Sequence, residues 1–134
     1  MPIEWNETIA MGIEEVDEQH HRFIDLIAKL ERTVADGTIG KHVSDIFDEL
    51  RAYIKHHFKT EEEHFIAFGC YSNAEAHTAS HRAFEERIDK IRIQFLDDQN
   101  ALTAELSRAM YDWLLNHIKH MDREYIECFK AHNL

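Results

Sequence analysis

Hydrophobic positions recur along this chain with the three-and-four spacing of amphipathic helices, in four separate stretches. The first is expected over about residues 17–36. Asp17 suits an N-cap, Phe23, Ile24, Ile27, Leu30 and Val34 form one stripe, and Gly37 supplies a stop. The second is expected over 41–68, with Val43, Ile46, Phe47, Leu50, Ile54, Phe58 and Phe65 in phase and Gly69 at its end. The third covers about 73–96, capped by Asn73, striped by Phe84, Ile88, Ile91 and Phe95, and broken by Asp97-Asp98-Gln99-Asn100. The fourth covers about 101–130, with Leu102, Leu106, Met110, Trp113, Leu114, Met121 and Tyr125 along its seam. Short connections between long neighbours predict antiparallel packing, hence an all-α, up-down-up-down four-helix bundle. Residues 1–16 read as an irregular arm whose Ile3, Trp5, Ile9 and Ile13 cover the bundle.

The stripes are interrupted, and always by the same kind of residue. His20 lies on the first, His57 and Glu61 on the second, His77 and His81 on the third, His117 on the fourth. They fall in four short patterns: Asp17-x-Gln19-His20, His57-x-x-x-Glu61, His77-x-x-x-His81 and His117-x-x-x-x-Asp122. Residues four apart are about one turn, roughly 6 Å of rise, from each other and share a face, so such a pair can grip one ion. The step of five from His117 to Asp122 rotates about 500°, leaving the side chains roughly 140° apart in an ideal helix. A local π-bulge or kink is therefore expected there.

A single histidine on an apolar face is ordinarily a hydrogen-bonded core residue. Five imidazoles and two carboxylates together are different, because each buried polar group left unsatisfied costs about 1–3 kcal/mol. A cation would satisfy them at once. Seven N and O ligands exceed one tetrahedral zinc, so two ions are expected, and this ligand mixture suits iron or manganese. If both carboxylates and a solvent oxygen bridge the pair, three histidines complete one ion. Two histidines leave the other five-coordinate, with one place open.

The remaining composition narrows the partners. The 134 residues make one domain, 1–134, and the scarcity of Pro (1) and Gly (4) favours few, long elements. Fifteen basic against twenty-six acidic side chains give a net charge of −11, which disfavours nucleic acid and anionic membrane surfaces. No apolar run approaches a membrane span and no leader pattern is evident, so a soluble, cytoplasmic chain is expected. Cys70 and Cys128 form no CxxC unit and are expected to be reduced, structural thiols.

In order and spacing, these seven residues resemble those of the hemerythrins, the single-domain bacterial forms in particular. The Trp5 arm, Gly12-Ile13, Val16-Asp17-x-Gln19-His20, His57-Phe58-x-x-Glu61-Glu62 and Trp113-Leu114-x-x-His117-Ile118 extend the resemblance over nearly the whole chain. It implies reversible dioxygen binding for transport, storage or delivery, at two irons and without catalysis. His77, His81 and His117 would hold one iron and His20 and His57 the other. Glu61, Asp122 and an oxo or hydroxo group would bridge them. An oxygen pocket would fall on Phe23, Phe58, Trp113, Leu114 and Ile118, although the same residues are ordinary bundle core by their phase. A monomer is expected, with no protein client indicated. An oxygen or redox sensor acting through a separate partner, or a di-iron oxidase, stands as the alternative.

The chain departs from the family pattern at Phe65, Cys70 and Tyr71-Ser72, where the hemerythrins often have Met and Tyr-Pro. Six histidines remain outside the set. His42 and His132 sit near helix ends, and His21 and His56 fall beside their stripes, so all four are expected at the surface. His64 keeps the core phase, and His120 forms a rival pair with Glu124. Both are set aside on the resemblance. Apart from Glu61, the acidic runs Glu61-Glu62-Glu63 and Asp97-Asp98 are expected to be solvated.

Overall fold

A computed structural model describes residues 2–36, 41–97 and 104–134. Four long helices dominate: α1 (Glu14–Ala35), α2 (Lys41–Phe68), α3 (Ala74–Asp97) and α4 (Ala104–His120). A 3-10 turn, Asp122–Tyr125, then leads into the short α5 (Ile126–Ala131), and another, Glu7–Ile9, lies in the N-terminal arm. α1 packs against α2 and α4, and α2 against α3. The fourth side of the bundle is bridged by Phe84 of α3 stacked on Trp113 of α4, ring centroids 3.9 Å apart. The architecture is thus the antiparallel four-helix bundle, with no strand among the described residues. Gly37, Asp98-Gln99-Asn100, the Ala101 start and Leu102 lie outside the described residues, as do the side chains of His42, Phe95 and Asp97.

Packing of the stripes holds the helices together. Phe23, Ile24, Ile27 and Leu30 of α1, Phe47, Leu50 and Phe58 of α2, and Leu114 and Ile118 of α4 are essentially inaccessible. Each such side chain contributes about 1.5–3 kcal/mol on burial. Ion pairs between helices, such as Arg22–Glu49 at 2.6 Å and Arg92–Asp48 at 3.0 Å, are partly exposed and contribute about 0–1 kcal/mol apiece. The arm adds Ile3, Ile9 and Ile13 to the core. It is tied down by Tyr111 Oη donating to the Glu4 carbonyl (2.8 Å) and Arg123 to the Thr8 carbonyl (2.6 Å).

Three expectations need correction. Asp17 is not the N-cap of α1, which begins three residues earlier with Ile13 in that position. Instead Asp17 reaches back from the first turn, and its carboxylate accepts the amides of Met11 (2.9 Å) and Gly12 (3.1 Å). Gly12, with φ +76°, makes the left-handed turn that aims both amides at it. The fourth helix is not continuous to 130: it ends at His120, and the chain resumes through the 3-10 turn.

The third correction concerns the cysteines, which are not free thiols. Cys70 and Cys128 form a disulfide across 58 residues of sequence, tying the end of α2 to α5. Their distance in sequence concealed the meeting of the two chain segments at one end of the bundle. Their Cα atoms lie 5.6 Å apart, a normal separation for a bridge.

Candidate metal centre

The bundle brings the polar residues of the four stripes together. α1 supplies His20, α2 His57 and Glu61, α3 His77 and His81, α4 His117, and the following turn Asp122. None is more than 5% exposed. The awkward step from His117 to Asp122 is resolved by a kink, not a π-bulge. At Met121 the backbone leaves the helix (φ −118°, ψ −53°) and tightens into the 3-10 turn. That swings Asp122 back, so that its Oδ1 lies 3.2 Å from His117 Nε2.

Their donor atoms fall into two overlapping groups, each within 4.8 Å. One comprises Glu61, His77, His81, His117 and Asp122, the other His20, His57, Glu61 and Asp122. The carboxylates are common to both. All seven predicted residues therefore meet at one centre.

The outer faces of the rings explain their orientation. His57 Nδ1 donates to Gln19 Oε1 (2.7 Å) and His81 Nδ1 to Glu62 Oε2 (2.8 Å). His77 Nδ1 meets the Tyr71 hydroxyl (3.0 Å), and His117 Nδ1 meets Ser80 Oγ (3.5 Å). With these Nδ1 positions so engaged, the Nε2 atoms of the four rings are turned to the centre, the usual outer support of metal-binding histidines. The Tyr125 hydroxyl donates to Glu61 Oε2. Glu62 is thus no solvated charge, since it also receives Arg82. It sits on α2 where that helix faces α3.

The inner faces are crowded, and only part of them is hydrogen-bonded. Asp122 Oδ1 lies 2.8 Å from His77 Nε2, and Oδ2 lies 3.0 Å from His20 Nε2. Yet neither carboxylate oxygen has a hydrogen-bond partner, and the same holds for Glu61 Oε1 and both nitrogens of His20. These atoms have ion-pair distances but aim past one another. The Nε2 atoms of His77 and His81 also stand only 2.9 and 3.2 Å from that of His117. A metal cation fits this donor set, because nitrogen and carboxylate oxygen donors converge on one buried volume and several of them have no hydrogen-bond partner there. It would satisfy four of the five orphaned atoms, each costing about 1–3 kcal/mol otherwise. His20 Nδ1, turned away, is the exception.

Electrostatics at the centre are correspondingly divided. Burial draws the His57 imidazole down to about 3, against the pull of Glu61. Burial also opposes charge on His81, but Glu61 and Glu62 outweigh it and lift the ring to about 9. His20 is likewise raised, with Asp122 overcoming the cost of burial. Both shared carboxylates are held below their ordinary values despite burial, Glu61 by His57 and His81, Asp122 by His117, His20 and His77.

Apolar rings wall the centre. Phe58 lies flat on His81 (centroids 3.8 Å apart), Trp113 on His117 (4.5 Å), and Phe23 meets His57 edge-on at 6.1 Å. Leu114 and Ile118 are fully buried, while Trp113 keeps partial exposure. The other described histidines stay out. His21, His56, His120 and His132 are exposed, and His64, half-buried, is engaged by Glu15 at 3.1 Å.

Fold and site together define a helical bundle that carries a histidine-rich, two-carboxylate metal centre. The family described as "Hemerythrin HHE cation binding domain" matches residues 11–129, and the chain belongs to the hemerythrin family. A bacteriohemerythrin of Stenotrophomonas maltophilia is 32% identical over 129 residues, covering 96% of this chain and 82% of the relative. A bacteriohemerythrin of Clostridium acetobutylicum is 28% identical, covering 92% of this chain and 98% of the relative. A crystal structure of wild-type hemerythrin superposes with a TM-score of 0.86 at 28% identity, covering 92% of this chain and 95% of that one. The domain is thus of the non-haem iron-binding kind. No described helix is long and apolar enough to cross a membrane.

Proposed function

We propose that this chain reversibly binds dioxygen at a pair of irons, as a carrier, store or delivery protein. In this reading His77, His81 and His117 hold one iron and His20 and His57 the other. Glu61, Asp122 and an oxo or hydroxo group bridge them. The observation that carries it is the pair of overlapping donor groups sharing Glu61 and Asp122. With three bridges, three imidazoles would complete six places on one iron, and two imidazoles would leave a place open on the other.

When bound, two ferrous ions supply the electrons that make dioxygen binding reversible. The chain's own residues set the conditions. Gln19, Glu62, Tyr71 and Ser80 fix the rings with Nε2 inward, and Tyr125 orients Glu61. Phe23, Phe58, Trp113, Leu114 and Ile118 form the oxygen pocket and exclude water, which restrains side reactions. Five imidazoles with two carboxylates favour a binding protein over an oxidase, since bundle oxidases rely mainly on carboxylates and Glu-x-x-His pairs.

Metal analysis and the magnetic spectrum test this reading. Two irons per chain with a coupled-pair signature are expected. Glu61→Ala and Asp122→Ala should lose that signature while His21→Ala keeps it. An unchanged signature in both carboxylate variants would overturn the bridging assignment.

A further inference from the structure

The disulfide lies beside the metal centre's outer supports. Cys70 is exposed and Cys128 nearly buried. Next in sequence to Cys70 is Tyr71, whose hydroxyl meets His77 Nδ1. Three residues before Cys128 is Tyr125, which donates to Glu61. The two tyrosine rings contact each other edge-on, centroids 6.0 Å apart. The bond therefore fixes, one against the other, the two segments that present hydroxyls to the centre.

A third side chain attends the sulfurs. His132 stacks on Phe68 at 4.4 Å and hydrogen-bonds through Nδ1 to the Cys128 carbonyl (3.0 Å). Because a carbonyl only accepts, Nδ1 carries the proton. The same nitrogen is 3.7 Å from Cys70 Sγ, so its N–H can stabilise a thiolate there.

We propose that Cys70–Cys128 is a thiol–disulfide exchange site, opened by an external dithiol, whose state sets how firmly Tyr71 and Tyr125 hold the metal centre. The link to the centre rests on the di-iron reading, whereas the exchange does not. The external thiolate bonds to the accessible Cys70 Sγ. The Cys70–Cys128 bond breaks, and its electron pair goes to Cys128 Sγ, which takes a proton from water. The dithiol's second sulfur then attacks its first, forming a cyclic disulfide and expelling Cys70 as a thiolate facing His132 Nδ1–H. Two electrons pass from the dithiol to the protein, the proton of its second thiol replaces in the solvent the one taken up by Cys128, and Cys70 keeps the negative charge. The segments bearing the two tyrosines are then no longer joined covalently.

Two readouts on the iron-loaded protein test this. Anaerobic incubation with dithiothreitol, without denaturant, should render both cysteines open to alkylation, read by mass. Oxidised glutathione should restore the bond. Alkylation that requires guanidinium would overturn the exchange site. Against a ferrous chelator, the reduced protein should hold iron about tenfold less well than the oxidised protein, the lower range for loss of outer hydrogen bonds. The Cys70→Ser/Cys128→Ser variant should match the reduced form with or without dithiol, which separates the effect from chelation by the reagent. Equal retention in both redox states would refute the coupling. In Tyr71→Phe the gap between states should narrow, and an undiminished gap would contradict transmission through Tyr71. A chain that took up no iron would remove the di-iron reading and the coupling with it, while alkylation still decided the exchange.

Discussion

Tyr125 donates its hydroxyl hydrogen to Glu61 Oε2, and both side chains are sealed from solvent. Burial and the neighbouring carboxylates push the phenol well above its ordinary value, so it stays a donor at any working pH. The bond fixes one oxygen of a carboxylate common to both donor groups. In Tyr125→Phe the ring remains to pack and only the hydrogen bond is lost. Iron affinity should fall about tenfold, as for loss of a single outer partner. Competition with a chelator checks this, and an unchanged affinity would show that Glu61 needs no such support.

Phe58 offers a test of the apolar wall. Its ring is fully buried and stacked on His81, with Phe84 and Trp113 beside it. Phe58→Ala should destabilise the protein by about 3–5 kcal/mol through the cavity left behind. It should also admit water and speed irreversible oxidation of the iron. Denaturant titration checks the first effect, and decay of the iron spectrum in air checks the second.

Metal uptake should release protons. At pH 7 His81, lifted to about 9, is charged in the metal-free chain, whereas His57, drawn down to about 3, is already neutral. A ligand imidazole must lose its proton, so affinity should strengthen as pH rises through 9. The sign for metal-free stability is opposite. A raised pKa stabilises fully below the unfolded value near 6.5, and that contribution is lost as pH climbs through 9. The gap in melting temperature between loaded and metal-free protein should therefore widen from pH 6.5 to 9, which thermal unfolding with and without iron can measure.

Opening the disulfide should weaken the fold. A bond closing 58 residues restricts the unfolded chain by about 4 kcal/mol in the chain-entropy view. Guanidinium unfolding with and without dithiol should show a loss of about 2–4 kcal/mol. No loss would mean that the native ends meet equally well without the bond.

The helical pattern and the candidate site were legible for one reason. His20, His57, Glu61, His77, His81 and His117 occupy hydrophobic phase, and phase decides which way a side chain points. Asp122 was visible only as an anomaly, five residues beyond His117, because the kink at Met121 is not written in any Gly or Pro. Cys70–Cys128 could not be read at all, since the pairing depends on how α5 docks after that kink. Glu62 looked solvated within its acidic run, as α2 alone does not reveal that α3 brings His81 against it. Asp17 looked like a cap because the backward reach to Met11 and Gly12 belongs to a turn that has no periodicity.

Cycling the iron-loaded protein between anaerobic and aerated buffer, while recording its optical spectrum, tests the central claim most directly. Reversible binding predicts a colour that develops with oxygen, bleaches when oxygen is withdrawn, and returns over repeated cycles with two irons retained per chain. A single irreversible oxidation, or steady consumption of oxygen with release of peroxide, would contradict it.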